Sequence, residues 1–336
     1  MKRLLLGILS AILLLFTGCA EKPVERYETT YYDVFDTVTS VVGYAKNRQE
    51  FDQAAQDLHE TLLHYHRLYN IYESYDGLVN LKTVNENAGK RPVVVESNLM
   101  DLLQLCEEME AATHGTVNPA MGSVLQLWHD ARTFGLEHPE AAALPDSDAL
   151  QEAAKHCSFD DVILNQDDST VYFQDPELRL DVGAIAKGYA ANQACKGLPS
   201  GYLVSVGGNV VCTGPKPDGS DWGIGLQDPD QNGIVATVQM QKGCVVTSGD
   251  YQRYYTVQGT RYHHLIDPKT LMPGTRWRSV SIICEDSGIA DALSTALFLL
   301  PKDQGEQLLP LFHAEAFWVS ASGEQYFTPG FAERIA

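Results

Sequence analysis

A predicted strand passes directly into a predicted helix in residues 180–190, which read Leu180-Asp181-Val182-Gly183-Ala184-Ile185-Ala186-Lys187-Gly188-Tyr189-Ala190. The strand ends at Asp181, Gly183 permits a tight bend, and the helix begins at once. The first N–H groups of a helix have no partner within it, so together with Lys187 they form a candidate anion site. A capped turn with a solvent-exposed lysine explains the same residues equally well.

Short strand patterns with polar turns dominate the rest of the chain. Strands are predicted at residues 31–44, 162–164, 170–173, 178–182, 202–206, 210–213, 222–226, 234–239, 244–247, 254–257, 262–266 and 279–284. Helices are predicted at residues 50–69, 99–113, 123–131, 147–156, 184–196, 289–299 and 302–308. The connections between most strands are too short for helical crossovers, so the strands are expected to be antiparallel. The sequence therefore predicts an α+β fold of mostly antiparallel sheets flanked by helices.

The charge balance restricts the classes of ligand. The chain has 44 Asp and Glu against 24 Lys and Arg, a net charge of −20. Such a field repels phosphate backbones, so we expect no nucleic-acid partner. A phosphate ligand would need a metal ion or a local group of basic side chains.

The first residues have the pattern of a secretory signal. Lys2 and Arg3 precede an apolar run at residues 4–16, which is shorter than the ~20 residues that cross a bilayer. The run ends in Thr17-Gly18-Cys19, which resembles a bacterial lipobox whose cysteine is lipidated. A plain signal peptide cleaved elsewhere is the alternative.

This interpretation predicts three parts of the chain. Residues 1–18 are a lipoprotein signal peptide, residues 19–30 are the lipidated Cys19 with a polar tether, and residues 31–336 are the folded domain. The protein is then extracytoplasmic and anchored by lipid to a bacterial membrane.

Six further cysteines are scattered through the chain with no Cys-x-x-Cys spacing, which argues against a zinc site. Each lies in an apolar run, so we expect mostly free, buried thiols.

A second candidate site lies in residues 289–296, which read Ile289-Ala290-Asp291-Ala292-Leu293-Ser294-Thr295-Ala296. Asp291 and Thr295 are four residues apart, so on a helix their oxygens share one face. A carboxylate and a hydroxyl suit a hard cation such as Mg²⁺, which also binds substrate phosphates. The alternative is a carboxylate favoured by the helix dipole and a threonine bonded back to its own helix.

Two further motifs have weaker signals. Adjacent His263 and His264 at the end of a strand point to opposite faces, so at most one is expected to face a site as a general base. An exposed edge pair is the alternative. The residues Gly207-Gly208-Asn209 are typical of a tight hairpin turn.

Taken together, these motifs resemble the ApbE family, the FAD:protein FMN transferases, many of which are lipoproteins. The resemblance extends from Tyr31 to the C-terminus and rests on five motifs in the family order: residues 180–190, 206–209, 247–251, 263–268 and 290–296. Phe35, Tyr72 and residues 114–119 lie where the family has further flavin contacts. The resemblance implies an ApbE-like fold with the flavin nucleotide site between two lobes.

The resemblance also implies a reaction. A threonine or serine hydroxyl of an acceptor protein attacks the FMN phosphorus of FAD, a phosphoester forms, and AMP leaves. The Mg²⁺ ligands would be the carbonyl of Ala184 and the side chains of Asp291 and Thr295. The catalytic residues would be His264, which helps to deprotonate the hydroxyl, Lys187 and Asp291. The flavin nucleotide contacts would be Phe35, Tyr72, Thr116, Val117, Asn118, Asp181, Lys187 and Leu265.

Family acceptors are extracytoplasmic proteins of flavin-dependent electron-transfer complexes. Two other functions stay open. One is a Mg²⁺-dependent FAD hydrolase that uses water in place of the acceptor, and the other is a non-catalytic flavin-binding lipoprotein.

Overall fold

The computed structural model describes residues 23–230 and 233–336. The predicted signal peptide, Cys19 and the first residues of the tether lie outside the described residues. The described part contains 15 strands and nine α-helices.

The strands are β1 (Glu25–Val34), β2 (Thr37–Ala45), β3 (Val93–Val94), β4 (Val162–Asn165), β5 (Thr170–Phe173), β6 (Tyr202–Val206), β7 (Asn209–Thr213), β8 (Trp222–Gln227), β9 (Ile234–Met240), β10 (Lys242–Gly249), β11 (Tyr254–Val257), β12 (Thr260–His263), β13 (Trp277–Cys284), β14 (Glu315–Ser320) and β15 (Gln325–Phe327). The helices are α1 (Arg48–Tyr69), α2 (Leu81–Glu86), α3 (Ser97–Ala112), α4 (Gly122–Glu137), α5 (Ser147–Ala153), α6 (Ala186–Cys195), α7 (Ser287–Leu299), α8 (Lys302–Leu308) and α9 (Pro329–Ala332).

An eight-stranded sheet forms the centre of the domain, in the order β1-β2-β6-β7-β10-β13-β14-β15. Neighbouring strands in it are antiparallel throughout, which confirms the predicted α+β fold. The β6–β7 connection shows why such short turns suffice. Gly207 and Gly208 have φ angles of 56° and 95°, which glycine adopts without a steric penalty.

The central strands are covered on both faces. On one face, Val246 of β10 and Ile282 of β13 are fully buried in the main core, which also takes side chains from α1, α3, α6 and α7. On the other face, Val245 and Ile283 pack against the β8–β9 ribbon and Phe331. Residues 279–284 of β13 are all buried, although Ser279 and Ser281 are polar.

Helices α6 and α7 pack unusually closely, and Gly188 makes this possible. A Cβ atom added at Gly188 would lie 2.0 Å from the carbonyl oxygen of Ser287. A glycine at this position therefore lets the backbone of α6 contact the start of α7. The contact brings Lys187 of α6 beside Asp291 of α7.

Several predicted boundaries are wrong. The predicted tether is too long, because residues 25–30 belong to β1 and pair with residues 40–45 of β2. The predicted strand at residues 31–44 is a hairpin, because the chain turns at Phe35 and Asp36, where φ is 55° and 51°.

The segment before α6 also differs from its prediction. Residues 178–182 are extended but form no strand, apart from a single parallel bridge between Arg179 and Met121. Helix α2 and a loop hold this segment instead: Leu180 N–H donates to Asn85 Oδ1 at 2.9 Å, and Asp181 N–H donates to the Pro119 carbonyl at 2.8 Å. Helix α6 begins at Ala186, two residues later than predicted, because the bend takes up residues 183–185.

The six cysteines of the described part are all free, and all but Cys157 are buried, as their apolar surroundings predict. No helix within residues 23–230 and 233–336 combines the length and the apolar content needed to cross a bilayer.

Candidate active site

A cleft of about 650 Å³ opens beside α6 and α7 and is bordered by α4, the β6–β7 turn and the loops that flank β11 and β12. The structure brings most of the predicted site residues to its wall: Tyr72, Thr116, Val117, Asn118, Asp181, Ala184, Lys187, His264, Leu265, Asp291 and Thr295. Residues separated by more than 200 positions in the sequence therefore line one cavity.

Phe35 is the exception among the described site residues, and its contact with a ligand stays a prediction. Its neighbours Asp36 and Thr37 line the cleft, but Phe35 does not. The left-handed turn directs the Phe35 ring onto His66 of α1, edge to face at 5.5 Å, and Phe35 N–H donates to His66 Nδ1 at 3.0 Å.

The Asp291 carboxylate is the best-defined charged group in the cleft. Asp291 is 4% exposed, and its Oδ2 accepts hydrogen bonds from the Gly188 N–H at 2.9 Å and from Lys187 Nζ at 3.4 Å. Lys187 Nζ also donates to the Gly183 carbonyl at 3.3 Å. Asp291 therefore caps the start of α6 and pairs with the lysine of its first turn.

This arrangement revises the candidate anion site at the start of α6. The Gly188 N–H and the Lys187 ammonium are already engaged by a protein carboxylate. An anionic ligand placed here would meet the negative charge of Asp291 unless a cation lay between them. Oxygens that suit a hard cation line the same cleft, on Ala184, Asp291 and Thr295.

The bend before α6 is fixed by Asp181. Its Oδ1 accepts a hydrogen bond from the Gly183 N–H at 2.8 Å, a turn that aspartate commonly makes. Burial raises the pKa of the Asp181 carboxyl above its usual range. Asp181 thus holds the backbone of Gly183 and Ala184 at the wall of the cleft.

The adjacent histidines differ in their hydrogen bonds. Both border the cleft, contrary to the expectation that at most one would, because β12 ends at His263 and the strict alternation ends with it. His263 Nε2–H donates to the Gly274 carbonyl at 2.7 Å, and His263 Nδ1 accepts from the Leu265 N–H at 3.2 Å. His263 is therefore a structural histidine whose two nitrogens are both occupied.

His264 retains a nitrogen for chemistry. Its Nδ1 lies 3.3 Å from the Arg253 carbonyl, to which Nδ1–H can donate, and its Nε2 makes no hydrogen bond to the described residues. Burial, together with the positive charge of Arg253, lowers the pKa of His264 to about 3. The imidazole is therefore neutral near pH 7 with a free Nε2 that can accept a proton, and its lowered pKa makes it a weak base.

Helix α4 supplies cleft residues that sequence reasoning missed. Trp128, His129 and Arg132 all line the cavity. The Tyr72 ring stacks on His129 with centroids 4.9 Å apart, and burial raises the pKa of Tyr72 to about 12. The helical spacing of these residues was visible in the sequence, but nothing indicated which face of the helix meets the cavity.

Asn209 is a second residue that was missed, since the sequence indicated only a hairpin turn. It follows Gly207 and Gly208, lines the cleft and is 2% exposed. Its side-chain Nδ2 has no hydrogen-bond partner among the described residues. A buried donor without a partner costs about 1–3 kcal/mol, so a ligand acceptor at this point would be favourable.

Comparison with known proteins identifies the family. The ApbE family model matches residues 33–318. The FAD:protein FMN transferase of Treponema pallidum (strain Nichols) is 32% identical over 351 aligned residues, which cover 98% of this chain and 94% of that protein. The FAD:protein FMN transferase of Klebsiella pneumoniae (strain 342) is 30% identical over 253 residues, covering 71% of this chain and 76% of that one. The chain belongs to the ApbE family, as its motifs predicted.

Solved structures support the same fold. The ApbE protein of Thermotoga maritima superimposes with a TM-score of 0.82 at 27% identity, covering 93% of this chain and all of that one. The flavin transferase ApbE of Vibrio cholerae has a TM-score of 0.78 at 20% identity, with the same coverage of both chains, and shows the fold alone. The ApbE-like α+β architecture is thereby confirmed.

Proposed function

We propose that this protein transfers FMN from FAD to a threonine or serine hydroxyl of an acceptor protein through a phosphoester bond, releases AMP, and depends on Mg²⁺. The observation that carries the proposal is the buried Asp291–Lys187 pair facing the same cleft as a neutral His264. The relatives named as FAD:protein FMN transferases, with up to 98% of this chain aligned, support the same reaction.

The cleft has the size and lining that a flavin nucleotide requires. Its volume of about 650 Å³ lies within the ~300–1,000 Å³ of small-molecule sites. Tyr72 and Tyr262, which are not fully buried, offer aromatic surface on which an isoalloxazine or adenine ring can stack. Lys187, together with a bound cation, would meet the diphosphate.

The residues at the start of α6 and on α7 fit a magnesium ion. Mg²⁺ is usually held by one or two carboxylates together with substrate phosphates, and the site offers one carboxylate, from Asp291. The Thr295 hydroxyl and the Ala184 carbonyl would complete the protein ligands. Bound there, Mg²⁺ would supply charge neutralisation on the diphosphate and on the departing AMP phosphate.

Side chains of the protein would then accept the proton and position the reacting groups. The acceptor oxygen forms the new bond to the FMN phosphorus as the bond from that phosphorus to the AMP oxygen breaks. His264 Nε2 receives the hydroxyl proton, while the Arg253 carbonyl holds the opposite ring nitrogen at 3.3 Å. Lys187 offsets negative charge on the diphosphate, and Asp291 holds Lys187 in place.

The proposal includes a location outside the cytoplasm, with the chain anchored to a bacterial membrane through lipid on Cys19. The lipobox-like residues at the end of the first apolar run support this. The acceptor is then an extracytoplasmic protein of a flavin-dependent electron-transfer complex. Metabolic labelling with palmitate should mark the wild-type chain and fail to mark Cys19→Ala. Equal labelling of both would contradict the anchor.

Mass spectrometry of a candidate acceptor protein tests the reaction. After incubation with the full chain, FAD and Mg²⁺, the acceptor should gain one FMN phosphoester adduct, and omission of the metal should prevent it. Rapid AMP release without any acceptor, and no adduct when the acceptor is present, would instead identify a FAD hydrolase. FAD binding with neither AMP nor adduct would identify a non-catalytic carrier.

A further inference from the structure

Within the part of the chain that the structure describes, two arginines at the cleft have no carboxylate partner. Arg132 of α4 is half-buried and Arg253 lies exposed between β10 and β11; both line the cavity. Neither forms an ion pair within the described residues. By contrast, Arg278 pairs with both Asp230 and Asp250. Unpaired arginines at a cavity are notable in a chain with 44 acidic residues.

The hydrogen bonds that these arginines do make are long and use neutral acceptors. Arg132 Nη2 lies 3.4 Å from His129 Nδ1, and Arg253 Nη2 donates to the Phe35 carbonyl at 3.4 Å. A guanidinium has five N–H donors, so most of these donors remain for solvent or a ligand. The planar guanidinium group matches the geometry of carboxylate and phosphate oxygens.

The two guanidinium groups are near enough to influence each other. Burial lowers the pKa of Arg132, and the positive charge of Arg253 lowers it further. Besides Asp291, the acids that line the cleft are Asp36 and Asp181, and Oδ1 of Asp181 is occupied by the Gly183 N–H. An anion bound between the arginines would relieve their repulsion, which no described carboxylate does through a direct ion pair.

We propose that Arg132 and Arg253 form an oxyanion subsite, separate from the Asp291–Lys187 pair, that binds a phosphate or carboxylate of one of the two substrates. The inference rests on the proposed transferase function. Arg253 and His264 line the same cleft, and the positive charge of Arg253 contributes to the lowered pKa of His264, so the subsite lies within electrostatic range of that histidine. The bound anion is either a phosphate of FAD or an acidic side chain near the acceptor hydroxyl.

Binding measurements on the full chain form the first arm of the test. The variants are Arg132→Gln and Arg253→Gln, with Arg261→Gln as the control, because Arg261 lies outside the cleft lining and packs over the Tyr254 ring. Dissociation constants are measured by flavin fluorescence for FAD and for riboflavin, which has no phosphate. If the anion is a phosphate of FAD, each cleft variant weakens FAD binding about tenfold or more and leaves riboflavin binding unchanged.

The second arm uses synthetic acceptor peptides with one threonine, flanked by either aspartate or asparagine. If the anion is an acceptor carboxylate, the wild type and Arg261→Gln modify the aspartate peptide preferentially, and both cleft variants lose that preference about tenfold. The subsite would be overturned if both variants kept FAD affinity and peptide preference within twofold of the wild type. A wild-type chain that modifies neither peptide nor protein would contradict the proposed function instead, and the FAD arm alone would then decide the subsite.

Discussion

Replacing Asp291 by asparagine separates the charge of this side chain from its shape. The amide side chain of Asp291→Asn would keep an oxygen that can accept the Gly188 N–H bond, so the cap of α6 would survive. The lost attraction to Lys187, whose side chain is 21% exposed, is expected to lower the free energy of unfolding by about 1 kcal/mol. The fold should therefore remain intact.

The effect on transfer should be much larger. Asparagine is a weaker ligand for Mg²⁺ than aspartate, and loss of about 3 kcal/mol of transition-state stabilisation slows a reaction by a factor of about a hundred. We expect Asp291→Asn to reduce the initial rate of FMN transfer by about a hundredfold or more at saturating FAD. Excess Mg²⁺ should restore only part of the rate.

The assay measures AMP release and acceptor adduct across a Mg²⁺ titration, with thermal unfolding recorded for each protein. Asp286→Asn is the matched control. Asp286 caps α7, the helix that carries Asp291, through the Gly288 and Ile289 N–H groups, but it does not line the cleft. This variant should lose no more than about 1 kcal/mol of stability, from the weaker interaction with the helix dipole, and should keep transfer. Transfer by Asp291→Asn within threefold of the wild type would refute the role assigned to the carboxylate.

Four further predictions concern the same cleft. Because the pKa of His264 is lowered to about 3, His264 stays unprotonated in the folded state, while in the unfolded state it takes up a proton below about pH 6.5. The free energy of unfolding should therefore fall as the pH drops below that value. The pH profile of the transfer rate should show no His264 inflection between pH 5 and 8, and a tenfold loss of rate over that range would contradict this. Lys187→Ala should raise the dissociation constant for FAD about tenfold in fluorescence titrations; unchanged affinity would remove its contact with the diphosphate. Asn209→Ala should weaken FAD binding while costing little stability, because Nδ2 has no partner in the unliganded cleft; calorimetry with unchanged FAD affinity would count against this. Gly188→Ala should unfold at a markedly lower temperature, since its Cβ would meet the Ser287 carbonyl oxygen at 2.0 Å; an unchanged melting temperature would be inconsistent with the close helix packing.

The sheet could be predicted from the sequence because its signals are local. Strand patterns such as residues 279–284 and turns such as Gly207–Gly208 are consequences of burial and φ angle at each position. The predicted strand at residues 178–182 was wrong for a different reason. Its backbone is held by Asn85 and Pro119, which are distant in sequence, so its own composition could not reveal the absence of a strand partner.

The candidate site could be predicted from the sequence only for residues that lie in recognisable motifs. The motifs and the family resemblance placed Lys187 and Asp291 in one predicted site. In the structure, Lys187 Nζ lies 3.4 Å from Asp291 Oδ2. Arg132 lies on a helix, Arg253 in a loop and Asn209 at the start of a strand, and their roles depend on what the tertiary fold places opposite them. The engagement of the α6 start by Asp291 likewise requires the packing of two helices that are separated by some 90 residues of sequence.

Crystals of the full chain grown with FAD and Mn²⁺, measured at a wavelength where manganese scatters anomalously, would locate the metal ion on which the proposed reaction depends. We expect one strong anomalous peak roughly 2 Å from an Asp291 carboxylate oxygen, the Thr295 hydroxyl and the Ala184 carbonyl, in contact with the FAD diphosphate. A diphosphate bound in the cleft with manganese elsewhere, or with none at these oxygens, would refute the proposed metal site.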